Sequence, residues 1–576
     1  GYMIPSYFIL LDEMPITLNG KINRKALPEP EGRVGMGQEY LLPEGEVEEK
    51  LVDIWTELLN VSEMGVSDNF FDLGGHSLKG IQIISAVKRE FGTEVDLKEF
   101  FRQPTIKGMA QLIAGKERGS ICEDIEKVPD QEYYQLSFNQ KRLWILYQLN
   151  PDSIAYHMPS RVILEEDVEP ELIEKTFAIL IRRHESLRTR FKTVDGDPVQ
   201  VVDSQGEFDY RYLDISDKEN QTKDLEQIFA QLNDKPFDLT EGPLLRTGLI
   251  KLADGRYELM ITMHHIITDG WSISLLEKEF NQIYQSLKEE VEWRLPELPI
   301  QYRDFAAWQN KILGDEEELA QVKKFWSKQL QQPLPVLQIM KNDLGQVDDR
   351  TSAAYRFVIP SEVTVKLKEI AKEKNASLFV ILLAGFNIFL SKITSQEDLI
   401  IGLPAAGRNH EDLKHVIGFF VNTLLLRTQL NLEESFEHFL GRIRDNTLQL
   451  LQYQTFPLEL MLDELDMDYP EISVFFNMIN LFESGGEKLS DMESYHIQKV
   501  QDVKFDIACY LKEYQNGIEV HCNYLTNQFN GDVIEYMMDE YLKILSRISL
   551  DPEKKLVQYI KKEKKKKSRS IKGLKR

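Results

Sequence analysis

Cysteine is scarce in this chain: three in 576 residues, Cys122, Cys509 and Cys522, far apart and without C-x-x-C spacing. That excludes a disulfide framework or a thiolate zinc site as an organising feature and makes a reducing, cytoplasmic setting the expected one. Positive charge is also in deficit. With 94 acidic against 69 basic residues the formal charge is −25. Binding to phosphate surfaces needs clustered Lys and Arg, so neither nucleic acid nor a membrane is expected as a partner. One stretch, residues 376–390, is nearly all apolar, but Ser377 and Asn387 interrupt it. It falls short of the roughly 20 residues that span a bilayer and reads as a buried core helix. The start, Gly1-Tyr2-Met3-Ile4-Pro5, has no charged n-region or apolar h-region and no initiator methionine, so the chain is expected to begin mid-protein.

What remains is the composition of soluble globular protein, 42% hydrophobic and 28% charged, in a chain too long for one core; roughly three to four domains are expected. Linker punctuation falls at residues 28–43, at 115–129 and around Asp551-Pro552. Between the first two, apolar residues recur at helical spacing: Val47, Leu51, Ile54, Trp55 and Leu58; Leu78, Ile81, Ile84, Val87 and Phe91; Ile106, Met109 and Ile113. This predicts a small all-helical bundle. From 133 to about 556, β-rich runs alternate with long helical ones, which predicts an α/β architecture of two lobes. Residues 561–576 carry ten basic residues against Glu563, the pattern of a solvated tail.

Two motifs carry chemistry. In Asp68-Asn69-Phe70-Phe71-Asp72-Leu73-Gly74-Gly75-His76-Ser77-Leu78, one serine follows two glycines and precedes an apolar helical stripe. Ser77 is thus expected at a helix N-terminus, where free amides and the positive dipole end suit a phosphate on its hydroxyl; on spacing alone, an ordinary Ser N-cap is the simpler reading. In Met263-His264-His265-Ile266-Ile267-Thr268-Asp269-Gly270-Trp271-Ser272, two histidines and an acid stand where a β run meets a helical stripe. Structural histidines, a metal site and acid/base chemistry are the alternatives, but adjacent histidines diverge and no third ligand cluster accompanies them. A weaker feature, Leu18-Asn19-Gly20-Lys21, lacks P-loop spacing.

The first motif, F-x-x-L-G-G-x-S-L in a helical bundle, resembles the peptidyl carrier proteins, where this serine receives 4′-phosphopantetheine from a phosphopantetheinyl transferase. The second, H-H-x-x-x-D-G, resembles the condensation domains of nonribosomal peptide synthetases and their chloramphenicol acetyltransferase-like relatives. Ser137 to Trp144, Arg183 to Thr189, Tyr302 to Trp308, and Ile401 to Arg408 with Gly418 to Leu424 are similar to further condensation motifs in the family's order. Gln454 departs, standing where many members have His. Next to a carrier, Asn19-Gly20-Lys21 is similar to the last motif of adenylation domains.

The resemblance implies an adenylation-domain remnant (1–29), a linker (30–43), a four-helix carrier (44–118), a second linker (119–132), a two-lobed condensation domain (133–556, the lobes dividing near 300) and a basic tail (557–576). It implies 4′-phosphopantetheine on Ser77, and a peptide-bond-forming site with His265 central and His264, Asp269 and Gly270 around it. Asp269 is expected to order its loop by pairing with Arg142 or Arg408. The implied partners are the transferase, an upstream adenylation domain and a downstream aminoacyl carrier, acting on a monomer. Heterocyclising members carry D-x-x-x-x-D at the histidine motif and epimerases continue V-D-G-V-S-W-R, which this chain does not. An ester-forming domain and a non-catalytic recruitment platform are the competing readings.

Overall fold

The computed structural model describes residues 41–59, 61, 64–75, 77–93, 95–115, 125–164, 168–206, 208–339, 352–479, 505–514 and 517–561. The segment with Lys21, nearly all of the first expected linker and the basic tail beyond 561 lie outside them. The chain divides between 122 and 123 into two compact units.

The first unit is four helices, α1 (Glu46–Leu59), α2 (Ser77–Phe91), α3 (Leu97–Arg102) and α4 (Ile106–Ala114). Glu46, Glu48 and Glu49 oppose the dipole in the first turn of α1. The Asp96 side chain caps α3 by accepting from the amides of Lys98 and Glu99, and Thr105 caps α4 through the Gly108 amide. Leu51, Trp55 and Leu59 are buried at i, i+4, i+8. On α2 the buried residues are Gly80, Gln82, Ile83, Ala86 and Val87; Val87 is buried as expected, whereas Ile81 and Ile84 are only half-buried. The reason is Gly80: a Cβ there would stand 2.6 Å from the Phe101 ring, so the bare backbone turns inward to let that ring in.

The second unit opens with β1 (Tyr134–Gln135), α5 (Phe138–Leu149), β2 (His157–Leu164), α6 (Pro170–Arg183), β3 (Thr189–Val194), β4 (Asp197–Val202), β5 (Asp209–Asp214), α7 (Gln221–Asn233), β6 (Leu245–Lys251), β7 (Tyr257–His264), α8 (Gly270–Lys288) and α9 (Tyr302–Leu313). It continues with α10 (Glu316–Gln329), β8 (Ser352–Pro360), α11 (Ser361–Glu373), α12 (Leu378–Thr394), β9 (Asp398–Ala405), β10 (Asn422–Gln429), α13 (Phe436–Gln452), α14 (Leu458–Glu464), β11 (Val474–Met478), β12 (Ile507–Tyr514), β13 (Gly517–Leu525), α15 (Gly531–Leu550) and α16 (Leu556–Ile560). Two main sheets result, ordered β2-β7-β6-β5 and β10-β9-β11-β12-β13-β8, with a small β1-β4-β3 sheet beside the first. In the larger sheet only β11 runs parallel to its neighbours β9 and β12.

Each main sheet has its own core. The apolar stretch at 376–390 is the centre of α12, buried from Val380 through Ser391; among the described residues no single helix is long and apolar enough to cross a membrane. The cores do not separate at one point in the sequence. Tyr302 and Phe305 of α9, and Leu413, Val416, Ile417, Phe419 and Phe420 from the loop before β10, all pack into the core of the first sheet. The later half thus reaches back over the end of β7, where the histidine motif lies.

Candidate active site

β7 ends at His264, opposite His157 of β2 in the antiparallel register. The chain then makes a single 3-10 turn, His265–Ile267, before α8. His264 is buried, and its Nδ1 accepts the amide hydrogen of Ile266 at 3.1 Å, which requires a neutral ring. Burial, reinforced by the Arg246 charge and by the cost of protonating it beside His157 and His265, holds its pKa well below the ordinary histidine value. Behind it, His157 is pushed down to about 4, again chiefly by burial, while its Nδ1 is bonded to the Asn233 carbonyl at 2.5 Å. Arg246 donates to the carbonyls of Leu232, Lys235 and Pro236 and lies 3.7 Å over the Phe237 ring, which packs edge-on against His157.

His265 is half-buried. Its backbone amide donates to the Tyr156 carbonyl at 2.8 Å, and its Nδ1 stands 2.7 Å from the Thr268 carbonyl. A carbonyl only accepts, so Nδ1 carries the hydrogen and the lone pair of the neutral imidazole is on Nε2. The Phe419 ring packs 4.6 Å from the imidazole, centroid to centroid.

Asp269 joins the two halves of the unit. One carboxylate oxygen caps α8 through the Ser272 amide at 2.8 Å and lies 3.4 Å from Arg408; the other accepts from the Phe420 amide at 3.0 Å. Of the two arginines expected as partners, Arg408 is the one that pairs; Arg142 of α5 instead bridges to Glu459 of α14 at 2.5 Å. Arg408 is fully buried, and burial lowers its pKa. Its charge is distributed over the carbonyls of Leu413 and Val416, the Ser272 hydroxyl and Asp269, with the Phe420 ring 3.9 Å away. Such a charge is tolerable only when so many acceptors meet it. Gly270 is exposed at the first position of α8.

Three contributors went unassigned at the level of sequence. Ser272 donates to the Gly418 carbonyl at 2.8 Å and accepts its amide at 3.0 Å. Tyr302 donates to the Phe419 carbonyl at 2.5 Å, and its ring fills the space where a side chain at 418 would begin, 1.8 Å from an ideal Cβ. His157 meets the motif only through strand register. Ser272 and Tyr302 sit inside the quoted motifs, which was the available signal; nothing in the sequence marks His157. Asn422 is spent on structure, its amide donating to the carbonyls of Gln454 and Phe456.

In the first unit α2 begins at Ser77. The preceding loop is tight: the Gly75 amide donates to the Phe70 carbonyl at 2.8 Å, and a Cβ on Gly75 would lie 2.4 Å from that oxygen. Gly74 has φ +81°, the left-handed region that favours glycine. The bare backbone of two glycines just ahead of the first-turn amides of a 15-residue helix fits a phosphate-linked group at its first residue.

The described residues thus form a two-domain architecture, a small helical bundle followed by a two-sheet α/β unit with a histidine turn clamped between its halves. The comparisons give its family. Residues 130–568 match the condensation-domain family and 49–113 the phosphopantetheine attachment site family, whose members carry the group covalently. The chain is 36% identical over 564 residues to gramicidin S synthase 2 of Brevibacillus brevis, spanning 96% of this chain and 12% of that protein. To tyrocidine synthase 3 of Brevibacillus parabrevis it is 38% identical over 565 residues, 96% of this chain and 8% of that one. It thus spans about a tenth of these relatives' length. In fold it is similar to the first condensation domain of the calcium-dependent antibiotic synthetase (TM-score 0.61, 18% identity, 74% of this chain and 98% of that one). The X-domain in complex with OxyB from teicoplanin biosynthesis is also similar (0.64, 19%, 77% and 99%). The chain belongs to the condensation-domain family of nonribosomal peptide synthetases, with a phosphopantetheine carrier ahead of that domain.

Proposed function

We propose that this chain is the donor-carrier and condensation segment of a nonribosomal peptide synthetase, with phosphopantetheine on Ser77 and peptide-bond formation centred on His265. The observation that carries the reading is the placement of His265: Tyr156 holds its backbone and Thr268 its Nδ1, so the neutral ring has its lone pair on Nε2. An α-amine, with a reference pKa near 8, is partly neutral at pH 7, so positioning matters at least as much as deprotonation. Nε2 aligns the amine through its N–H and accepts the proton lost as nitrogen bonds to the acyl carbon; the C–S bond then breaks, and the pantetheine thiolate leaves and takes up that proton as a thiol. His264 and Asp269 are positioning residues, the one capping the turn and the other tying it to Phe420 and Arg408; Gly270 keeps the helix start open. The arm on Ser77 supplies a thiol that holds the acyl group as a reactive thioester.

This reading requires a phosphopantetheinyl transferase, an upstream adenylation domain to charge the carrier and a downstream carrier to bring the amine, in the cytoplasm and with a monomer sufficing. Incubation with coenzyme A and a broad-range transferase should add about 340 Da, and Ser77→Ala should abolish the gain. The loaded chain, given a small amine acceptor, should form amide, and His265→Ala should slow this by about 10²–10⁴-fold. No mass gain in the folded native chain refutes the carrier assignment; an unchanged rate in His265→Ala refutes the role of His265.

A further inference from the structure

Residues 125–131 have no regular secondary structure, yet they are fastened to the second unit at successive points. Ile125 is buried in the core of the first sheet. The Val128 amide donates at 2.7 Å to Oδ1 of Asp304, a fully buried carboxylate whose Oδ2 takes the Gln301 amide at 2.7 Å. Asp130, itself 92% exposed, is reached at 2.7 Å by Nη2 of the buried Arg303. Arg303 also lies 4.5 Å over the Tyr134 ring, donates to the Tyr134 hydroxyl and faces Glu185 at 3.2 Å. The Gln131 amide donates to the same Tyr134 hydroxyl at 2.9 Å. A connecting segment left to itself stays solvated and mobile, because ordering costs about 1–2 kcal/mol per residue. Here a buried carboxylate and a buried guanidinium are committed to holding one.

We propose that Arg303 and Asp304, in the first turn of α9, are positioning residues that anchor the incoming chain, so that the carrier swings from Ile125 and not from β1. This rests on the delivery of an acyl group from Ser77 to His265 proposed above. The consequence is arithmetical. Helix α4 ends at Ala114, so about ten residues separate the carrier from Ile125, at most roughly 35 Å of extended chain, against about nineteen to Tyr134. Effective concentration falls roughly as the −3/2 power of tether length, so releasing the anchor should dilute the delivered group about two- to threefold. Through Tyr302 the same helix holds the carbonyl of Phe419, whose ring packs on His265, so the tether and the site share one support.

The test compares delivery in cis, from a chain loaded at Ser77, with delivery in trans, from the same aminoacyl group on a free pantetheine thioester. In Ile125→Ser/Asp130→Ala the single-turnover cis rate should fall about two- to threefold with the trans rate unchanged, and Asp130→Glu should retain the native cis rate. Cis and trans rates falling together would mean a merely structural strap, and an unchanged cis rate would also overturn the proposal. Hydrogen exchange at the Val128 amide needs no catalysis: it should be slow in the native chain and at least about tenfold faster in the double variant, consistent with local opening. Fast exchange in the native chain refutes the anchor. Product from neither route would refute the peptide-forming reading and leave the Val128 amide to decide the anchor by itself.

Discussion

Around the Ser77 loop of the carrier, support comes from hydrocarbon: Phe70, fully buried, meets the rings of Trp55, Phe71, Phe100 and Phe101 at centroid distances of 5.6, 5.3, 5.2 and 5.6 Å, and its carbonyl holds Gly75. Around His265, support comes from buried charge, with Arg408 and Asp269 facing each other among carbonyls, a hydroxyl and amides. The difference follows from what each place is asked to do. A serine that a transferase must modify needs a stiff platform behind an open approach, which ring packing provides without constraining direction. An imidazole that must present one nitrogen needs directional bonds on every neighbour, and only hydrogen bonds and ion pairs supply those.

Removing the charge should break the comparison most sharply. Arg408→Met leaves the buried Asp269 without its counter-charge and removes the guanidinium from the Leu413 and Val416 carbonyls, and should cost the condensation unit about 3–5 kcal/mol. Amide formation should be lost while phosphopantetheine loading continues, as read by thermal melting and intact mass. Arg408→Lys should recover part of the stability, having donors without the planar fork. Phe70→Ala is the counterpart lesion. Losing a fully buried ring should cost the carrier about 3–5 kcal/mol and abolish loading, while a free thioester donor is still turned over at His265. If Phe70→Ala impairs both activities equally, the two supports are not independent.

These contrasts also show what could be read before folding. The starts of α2 and α8 and the end of β7 were legible because caps, glycines and periodicity act within a few residues. The pairing of Asp269 was legible only to a choice of two arginines. Deciding between them needs to know that the 408–421 loop returns over β7, a contact spanning more than 130 residues. His157 was invisible, since only β2–β7 register places it against His264. The turn of α2 onto Gly80 was misread because periodicity weighs side chains, and there an absent one decides.

A smaller effect sharpens the carrier half of the comparison. Gly75→Ala adds one methyl against the Phe70 carbonyl, backbone that cannot swing aside, so the loop itself must shift. Overpacking of this kind costs about 1–3 kcal/mol. The loading rate should fall while the condensation unit melts unchanged. A native loading rate in Gly75→Ala would show that the tight loop does not present Ser77.

Acid distinguishes the two units with the smallest perturbation. His157 and His415 are each pushed down to about 4, and His264 and His184 are also lowered, in every case chiefly by burial. Unfolded, these rings titrate near 6.5. As pH falls from 6.5 towards 4 the unfolded chain binds protons that the folded one refuses, so stability drops through that window, and below it His157 and His415 add no further loss. The carrier has one histidine, His76, so its stability should change less between pH 7 and 5, which hydrogen exchange resolved by peptide can follow for both units in one sample. His157→Asn should flatten the slope of the condensation unit, and equal slopes in the two units would contradict the assignment. Acid strikes at one bond in particular. Protonated His264 cannot accept the Ile266 amide, and burial holds its pKa well below the ordinary value, so this bond and the turn that presents His265 should be lost together with the unfolding of the unit, amide formation falling in step with the melting signal.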